Sequence, residues 1–154
     1  MKKIPLTQGK FALIDNRDYW LVRQFKWCAH KARRVWYAST NIRMCGVRKV
    51  VKMHRLLAGF PPFDIDHKNG DGLDNQRRNL RPATRSQNQA NCGPRQHNTS
   101  GYKGVCWDNR QKKWLARVQF CGKERYLGRF ANLKNAAAAY KKATTQLNGE
   151  FARI

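Results

Sequence analysis

Between Asp64 and Asn88 the chain sets out side chains whose types and spacing could hydrolyse a phosphodiester bond. Asp66 and His67 are adjacent, Asn79 follows His67 by 12 residues and Asn88 follows it by 21. A neutral imidazole is a good general base near pH 7. A carboxylate is a hard oxygen ligand for Mg²⁺ or Mn²⁺, and an Asn carbonyl oxygen can be a second. An ion held by two protein ligands keeps open positions for water and for a substrate phosphate, and it stabilises a departing 3′ oxygen. Neighbouring side chains on an extended strand diverge, so His67 could face the water and Asp66 the metal. An Asn at the start of a following helix can hydrogen-bond back across the turn. The intervening run from Lys68 to Asp74 is rich in Gly, Asn and Asp, as turns are. A plain turn would need neither His beside Asp nor Asn at both later spacings.

Three stretches, MHRLLAGF (Met53 to Phe60), DIDHKNGDGLDNQRRNLRPAT (Asp64 to Thr84) and SQNQAN (Ser86 to Asn91), resemble the HNH endonucleases with their ββα-metal motif. The likeness is to the form found in phage and intron-associated homing enzymes. Carried over residue by residue, the resemblance implies that His67 is the general base and Asn79 the Asn that braces the motif. It implies that Asp66 and Asn88 form the metal pair for one divalent ion, Mg²⁺ or Mn²⁺. The expectation is a site-preferring DNA endonuclease acting in a bacterial or phage-infected cell. A single copy of the motif implies one strand nicked per active site, with 5′-phosphate and 3′-hydroxyl products. The alternative is a DNA-binding regulator with a vestigial nuclease fold.

The elements that must position these residues are a loose hairpin and a helix. The expected strands are Asp64 to His67 and a short piece near Leu73, joined through Gly70 and Gly72. A helix tolerates Pro only in its first turn, so the helix is expected from about Pro82, with Thr84 to Asn91 on it and Asn88 projecting back toward Asp66. Upstream, residues 4–14 suggest strand, turn and strand. Asp15 could cap a helix over Asn16 to Phe25 with Tyr19, Leu21, Val22 and Phe25 on its apolar side. Residues 26–52 suggest two or three antiparallel strands with turns near Lys31–Arg34 and Cys45–Gly46, and Met53 to Gly59 a short helix. Trp20, Trp27 and Trp36 lie among apolar neighbours and are expected in the core. His54 is expected to be structural, while Arg55 beside it could reach DNA.

The 154 residues hold 32 Lys and Arg against 9 Asp and Glu, a formal charge of +23. Residues 1–80 carry 17 basic against 6 acidic groups and residues 81–154 carry 15 against 3, so the excess is no tail. A polyanionic partner, double-stranded DNA first, explains that balance best. No apolar run approaches the ~18–20 residues of a membrane span, and no apolar segment follows the basic N-terminus. A cytoplasmic location without membrane contact is therefore expected, as a monomer, with a dimer as the alternative. The five cysteines (Cys28, Cys45, Cys92, Cys106, Cys121) show no paired zinc spacing and suggest reduced, partly buried thiols.

Residues 92–101 (CGPRQHNTSG) suggest a linker between a nuclease module, 1–91, and a C-terminal domain, 102–154. That domain suggests three strands in adjacent hairpins, with Ala116, Val118 and Phe120 on one face and Arg117 and Gln119 on the other. Asn132 could cap a helix from about Leu133 to Leu147, whose Ala136, Ala137, Ala139, Tyr140 and Ala143 let it lie close to the sheet. The fold class is thus α+β throughout. YKGVCWD, KWLARVQF, YLGRF, NAAAAYKKA and NGEFAR, nearly all of residues 101–153, resemble the DNA-binding domain of the plant APETALA and ethylene-response-factor proteins. The resemblance implies a sheet lying in the DNA major groove. By position it implies that Lys103, Cys106, Arg117, Gln119, Glu124 and Tyr126 face DNA, with Arg125 beside Glu124. Cys106 departs from the plant pattern, which usually has Arg there, and Glu124 interrupts the basic surface. Trp107 and Trp114 could contact the DNA backbone or brace the sheet.

Overall fold

The structure is a computed structural model that describes residues 1–44 and 46–154. It is α+β, with small antiparallel sheets and α-helices divided between two compact units, Met1–Ala83 and Thr84–Ile154.

In the first unit, β1 (Lys2–Pro5) and β2 (Phe11–Ile14) form the hairpin expected from residues 4–14 and bury Ile4, Ala12 and Ile14. The helix expected over Asn16 to Phe25 is shorter. A 3₁₀ turn, Asn16–Asp18, leads into one helical turn, α1 (Tyr19–Val22). Asp15 makes no side-chain cap; its Oδ2 accepts the Arg77 N–H at 2.9 Å instead. One turn can turn only one side to a core. Val22 is buried there, while Leu21 is exposed and Trp20, expected inside, is 68% exposed. Trp27 is buried as expected, its Nε1 donating to the Val22 carbonyl at 2.9 Å, and Trp36 is half-buried.

Strands β3 (Cys28–Ala32), β4 (Val35–Met44) and β5 (Val47–Lys52) form a three-stranded meander that runs into α2 (Met53–Leu57). Of the turn expected at Cys45–Gly46, Cys45 lies outside the described residues. The core is Ile4, Ala12, Ile14, Val22, Trp27, Ala38, Met53 and Leu57.

Strand β6 (Asp64–His67) pairs with β7 (Leu80–Ala83), which sets Asp66 opposite Arg81 and His67 opposite Leu80. The first strand has the expected bounds, but the second lies later than expected. Leu73 lies in a turn, and Asp74 makes an isolated bridge to β2 instead: the Leu13 N–H donates to the Leu73 carbonyl and the Asn75 N–H to the Leu13 carbonyl, both at 2.8 Å. Pro82 therefore stands in a strand, opposite Ile65, and not in a helix. A two-stranded ribbon is all edge, where a missing N–H is tolerated.

The second unit begins at the helix cap. The Thr84 hydroxyl accepts the Gln87 N–H at 3.2 Å and the Gln87 side chain accepts the Thr84 N–H at 2.8 Å, a reciprocal capping box that starts α3 (Arg85–Asn91). The compact units thus divide ahead of residues 92–101, the stretch expected as a linker. Within that stretch Ser100 is buried, its hydroxyl 2.8 Å from the Val105 carbonyl. Strands β8 (Val105–Asp108), β9 (Lys113–Phe120) and β10 (Lys123–Phe130) form the expected meander, and α4 (Leu133–Asn148) starts at Asn132, which accepts the Lys134 N–H at 2.7 Å. Val105, Ala116, Val118, Ala136 and Tyr140 make the core. Trp107 and Trp114 pack edge-to-face at 5.0 Å, and Trp114 joins that core, so the pair braces the sheet. Cys28, Cys92 and Cys121 are exposed thiols rather than partly buried ones, and Cys106 is half-buried; Cys45 lies outside the described residues.

Helix α4 approaches the sheet closely at Gly104. A Cβ there would lie 2.2 Å from the Tyr140 ring and 2.5 Å from the Arg117 carbonyl oxygen, on a backbone with φ of +72°. Gly104→Ala is expected to lower stability by about 2 kcal/mol or more through strain and overpacking. A urea unfolding midpoint equal to that of the parent chain would contradict this packing.

Candidate functional site

The loop between β6 and β7 is built from its own polar side chains. Asn79 Oδ1 accepts the Asn69 N–H at 3.0 Å, and its Nδ2 donates to Asn69 Oδ1 at 3.0 Å and to the Asp74 carbonyl at 2.7 Å. Asp74 Oδ2 accepts Asn69 Nδ2 at 2.9 Å, and Asp71 Oδ1 accepts the Leu73 N–H at 3.0 Å. Gly72 is the point of contact with β4: a Cβ there would fall 2.4 Å from the Trp36 carbonyl oxygen and 2.6 Å from the Tyr37 ring. The loop is thereby pressed flat on β4, and Asn79, Asn75 and Gln76 are buried in it.

Strand alternation separates Asp66 from His67, as expected. Asp66 Oδ2 accepts Arg81 Nε at 2.9 Å, Arg81 Nη2 lies 2.9 Å from the same oxygen as an ion pair, and both residues are buried. His67 enters an aromatic cluster. Its ring centroid lies 4.8 Å from that of His54 and 5.9 Å from that of Tyr37, while Tyr37 and His54 are 5.8 Å apart. Asn75 Oδ1 is 3.5 Å from His67 Nε2. Burial pushes the His67 imidazole below its ordinary value, opposed by the Asn75 hydrogen bond and by the carboxylates of Asp66, Asp71 and Asp74. Burial, then the neighbouring His67, Lys52 and Arg55, hold His54 down at about 3, so it stays neutral as a wall of the cluster. His67 is therefore a neutral, buried imidazole at pH 7, the protonation state a general base needs.

Asp66 suits a hard divalent cation by chemistry: an anionic oxygen donor whose second function, the bond to Arg81, is the kind of outer contact that orients a ligating carboxylate. Asn88, the other expected ligand, lies on α3 in the second unit, half-exposed, with its N–H donating to the Thr84 carbonyl at 2.9 Å. Among the described residues no group of three or more His, Cys, Asp or Glu side chains is arranged to hold a metal ion. Sequence reasoning assigned no part to Asn75, Arg81 or Tyr37. Arg81 was visible in the N-L-R context and Asn75 in the D-N pair, but Tyr37 lies too far away in sequence to signal its contact. Arg55 holds the turn after α2, donating to the Phe63 and Pro61 carbonyls at 2.6 and 2.7 Å.

In the second unit, strand register sorts the residues expected to face DNA. Arg117 stands opposite Tyr126, Gln119 opposite Glu124, and Leu115 lies between Cys106 and Arg129. These share the face opposite the buried Ala116 and Val118. Arg117 pairs with Glu124 at 3.1 Å and Arg129 with Asp108 at 2.9 Å, and Tyr126 is exposed. Two expected members are elsewhere. Arg125 stands opposite Val118, on the helix side, with its guanidinium 5.6 Å from the Phe120 ring. Lys103 donates its Nζ to the carbonyls of Ala90 and Gln89 at the end of α3, and burial lowers it to about 8. Lys103 lies in the turn before β8, outside any strand alternation, whereas Arg125 follows simple alternation, which sets it on the opposite face from its neighbours Glu124 and Tyr126.

Over 92 residues the chain is 34% identical to Protein 3.8 of Escherichia phage T7, covering 60% of this chain and 75% of that protein. The chain belongs to the family of that phage protein. The likeness to APETALA proteins expected from the sequence is also found. An AP2-like ethylene-responsive transcription factor, TOE2 of Arabidopsis thaliana, is 33% identical over 85 residues, and APETALA2-like protein 2 of Oryza sativa subsp. indica is 39% identical over 62. These alignments cover 55% and 40% of this chain but only 17% and 14% of the plant proteins. No family model matches the chain, and no solved structure matches it.

The lowered value of His54 has a consequence for stability. The unfolded chain returns His54 toward 6.5, so between pH 6.5 and about 3 the unfolded state binds a proton that the folded state excludes. Folding stability therefore falls as the pH drops through that window. In urea titrations at pH 7, 6, 5 and 4, His54→Leu is expected to lose less stability on acidification than the parent chain. Parallel losses would refute the assignment.

Proposed function

We propose that this chain is a double-stranded DNA-binding protein. The observation that carries the reading is the open face of the β8–β10 sheet, where Arg117, Gln119, Tyr126 and Arg129 stand away from the helix on a chain of net charge +23. A twisted antiparallel sheet fits the B-form major groove and presents alternate side chains to base edges and phosphates. The A-form major groove of RNA is too narrow for it, which favours DNA. Two relatives bear the names of plant transcription factors or their kin, and they support DNA binding better than they support cleavage. The coarser role, a DNA-binding regulator, is the better supported one.

A second reading, a metal-dependent DNA endonuclease of homing or phage type, is favoured by a specific observation: a neutral, buried His67 next to Asp66 on a loop braced by Asn79. In that reading His67 accepts a proton from water as the oxygen attacks the scissile phosphorus, and the 3′ oxygen leaves. Asp66 would be a ligand of a divalent cation, Mg²⁺ or Mn²⁺, which would supply positive charge for the developing anion. Arg81 keeps the Asp66 carboxylate oriented, and the Tyr37 and His54 rings exclude water from one side of the base.

Binding to a duplex is expected to weaken by ~10³–10⁵ between 50 and 200 mM salt if about 6–10 phosphates are contacted. Arg117→Ala is expected to cost about 1–3 kcal/mol if it reads a base, and Arg125→Ala clearly less. Fluorescence anisotropy on matched DNA and RNA duplexes measures this, and equal affinity for both would overturn the major-groove reading. For cleavage, supercoiled plasmid is incubated with Mg²⁺, Mn²⁺ or EDTA. The nuclease reading expects metal-dependent nicking that is lost in His67→Ala with DNA binding retained; no nicking of a plasmid bearing the natural target leaves the regulator.

A further inference from the structure

We propose that Trp20, with Tyr19, Arg23 and Lys2 around it, is a second nucleic-acid contact, in the first unit: a platform on which an unpaired base of single-stranded DNA stacks while Arg23 and Lys2 meet its flanking phosphates. Trp20 is out of place for a core residue. Trp27 is buried, Trp36 is half-buried, and Trp107 and Trp114 pack on each other, whereas Trp20 is 68% exposed. Its surroundings are rings and cations. The Arg23 guanidinium lies 4.7 Å from the Trp20 ring centroid and 5.7 Å from that of Tyr19. Lys2 Nζ lies 3.7 Å from the Tyr19 centroid, and the Tyr19 and Trp20 rings meet edge-to-face at 5.9 Å.

One helical turn sets this order. Arg23 follows Trp20 by three residues and Tyr19 by four, spacings that fall on one side of a helix. The Arg23 N–H donates to the Tyr19 carbonyl at 2.9 Å. Tyr19 is half-buried and packs against the core of the first unit, which gives the platform a fixed base. The local charge is unbalanced. Residues 1–26 hold six Lys and Arg against two Asp. Arg77 engages both carboxylates: its backbone N–H donates to Asp15 and its guanidinium pairs with the buried Asp18 at 2.7 Å. Among the described residues neither Lys2 nor Arg23 pairs with a carboxylate.

An open ring between unneutralised cations fits a flat, π-faced group with negative charge on either side, which is the chemistry of an unpaired nucleotide. In a duplex each base is covered by its neighbours, so a single strand is what offers a free face. Base–aromatic stacking tolerates any sequence, and a guanidinium over the ring adds its own attraction. The choice of DNA over RNA rests on the duplex-DNA reading of the β8–β10 sheet, which belongs to the other unit and uses other residues.

The test titrates the full chain, by fluorescence anisotropy, into labelled oligothymidylate of about 12 nucleotides, within the span of known single-strand sites. An abasic strand with the same phosphates, an oligouridylate and a hairpin duplex serve beside it. The parent chain is expected to bind oligothymidylate more tightly than the abasic strand, and oligouridylate no more tightly than oligothymidylate. Trp20→Ala is expected to weaken oligothymidylate by about 5–150-fold and to leave the abasic strand and the duplex within about twofold. Trp20→Phe, which keeps a ring, is expected to recover most of the loss. Arg23→Gln, which removes charge, is expected to weaken both single strands, and it keeps the test open if Trp20→Ala fails to fold. Arg117→Ala, in the sheet, is expected to weaken the duplex and spare oligothymidylate, so the duplex reading and this one fail on different strands. Equal parent affinity for the abasic strand and oligothymidylate, unchanged oligothymidylate binding in a folded Trp20→Ala, or tighter binding of oligouridylate overturns the proposal. So does a Trp20→Ala chain that keeps its oligothymidylate affinity but loses self-association in sedimentation or binding to phosphatidylserine vesicles, which assigns the patch to a second copy or to a membrane surface.

Discussion

A polar loop that is pressed against a small sheet must satisfy the donors and acceptors of its buried side, because little water reaches them. Residues 68–79 meet that constraint with amide and carboxylate side chains that bond one another and the backbone. Asn79 spans the loop from Asn69 to Asp74, Asp71 and Asp74 close its turns, and Asn75 ties it to β2. The residues that could do chemistry depend on this closure. His67 is neutral because it is buried, and it is buried because the loop, with Gly72 against Tyr37, covers β4. Asp66 is buried and bonded to Arg81 on the paired strand. A buried ion pair of this kind adds little net stability, but removing one partner leaves an uncompensated charge.

The second unit solves a different problem. Three strands and one long helix have little apolar material, so the helix must approach closely for the core to close. Ala136 at the contact, Gly104 beneath Tyr140 and the edge-to-face Trp107–Trp114 pair make that approach possible. Covering one face of the sheet with a helix leaves the other without apolar residues to bury, save Leu115. That face is free to carry Arg117, Gln119, Tyr126 and Arg129.

Charge distribution follows from the same economy of acids. Asp18 holds Arg77, Asp66 holds Arg81, Asp108 holds Arg129, and Glu124 holds Arg117. Four of the nine carboxylates thus face particular guanidiniums, and the excess of Lys and Arg sets a positive field over the chain. Such a field raises the association rate with a polyanion and makes its affinity depend on salt. It carries no sequence selectivity, which must come from alternate side chains on a sheet.

Much was legible from local pattern. Period-two alternation marked β8 to β10, Asn132 marked the start of α4, and the bounds of β6 followed from a short apolar run before Asp66. Other elements were misplaced where a local cue competed with tertiary pairing. Leu73 lies in a turn, and the bridge beside it, at Asp74, is to β2. Pro82 belongs to a strand, because the pairing partner that keeps it there is β6. Trp20 is exposed, because the single turn of α1 turns Val22 to the core and leaves Trp20 on its outer side. By itself the sequence determined the α+β class, the basic surface, and the types and spacing of Asp66, His67, Asn79 and Asn88, since composition, period and spacing are properties of the chain. Only the tertiary structure decided that Arg81 binds Asp66, that Tyr37 and His54 enclose His67, and that Asn75 faces its Nε2. Those contacts join residues from separate strands, a helix and a loop, and hydrogen-bond direction and burial exist only once these have packed.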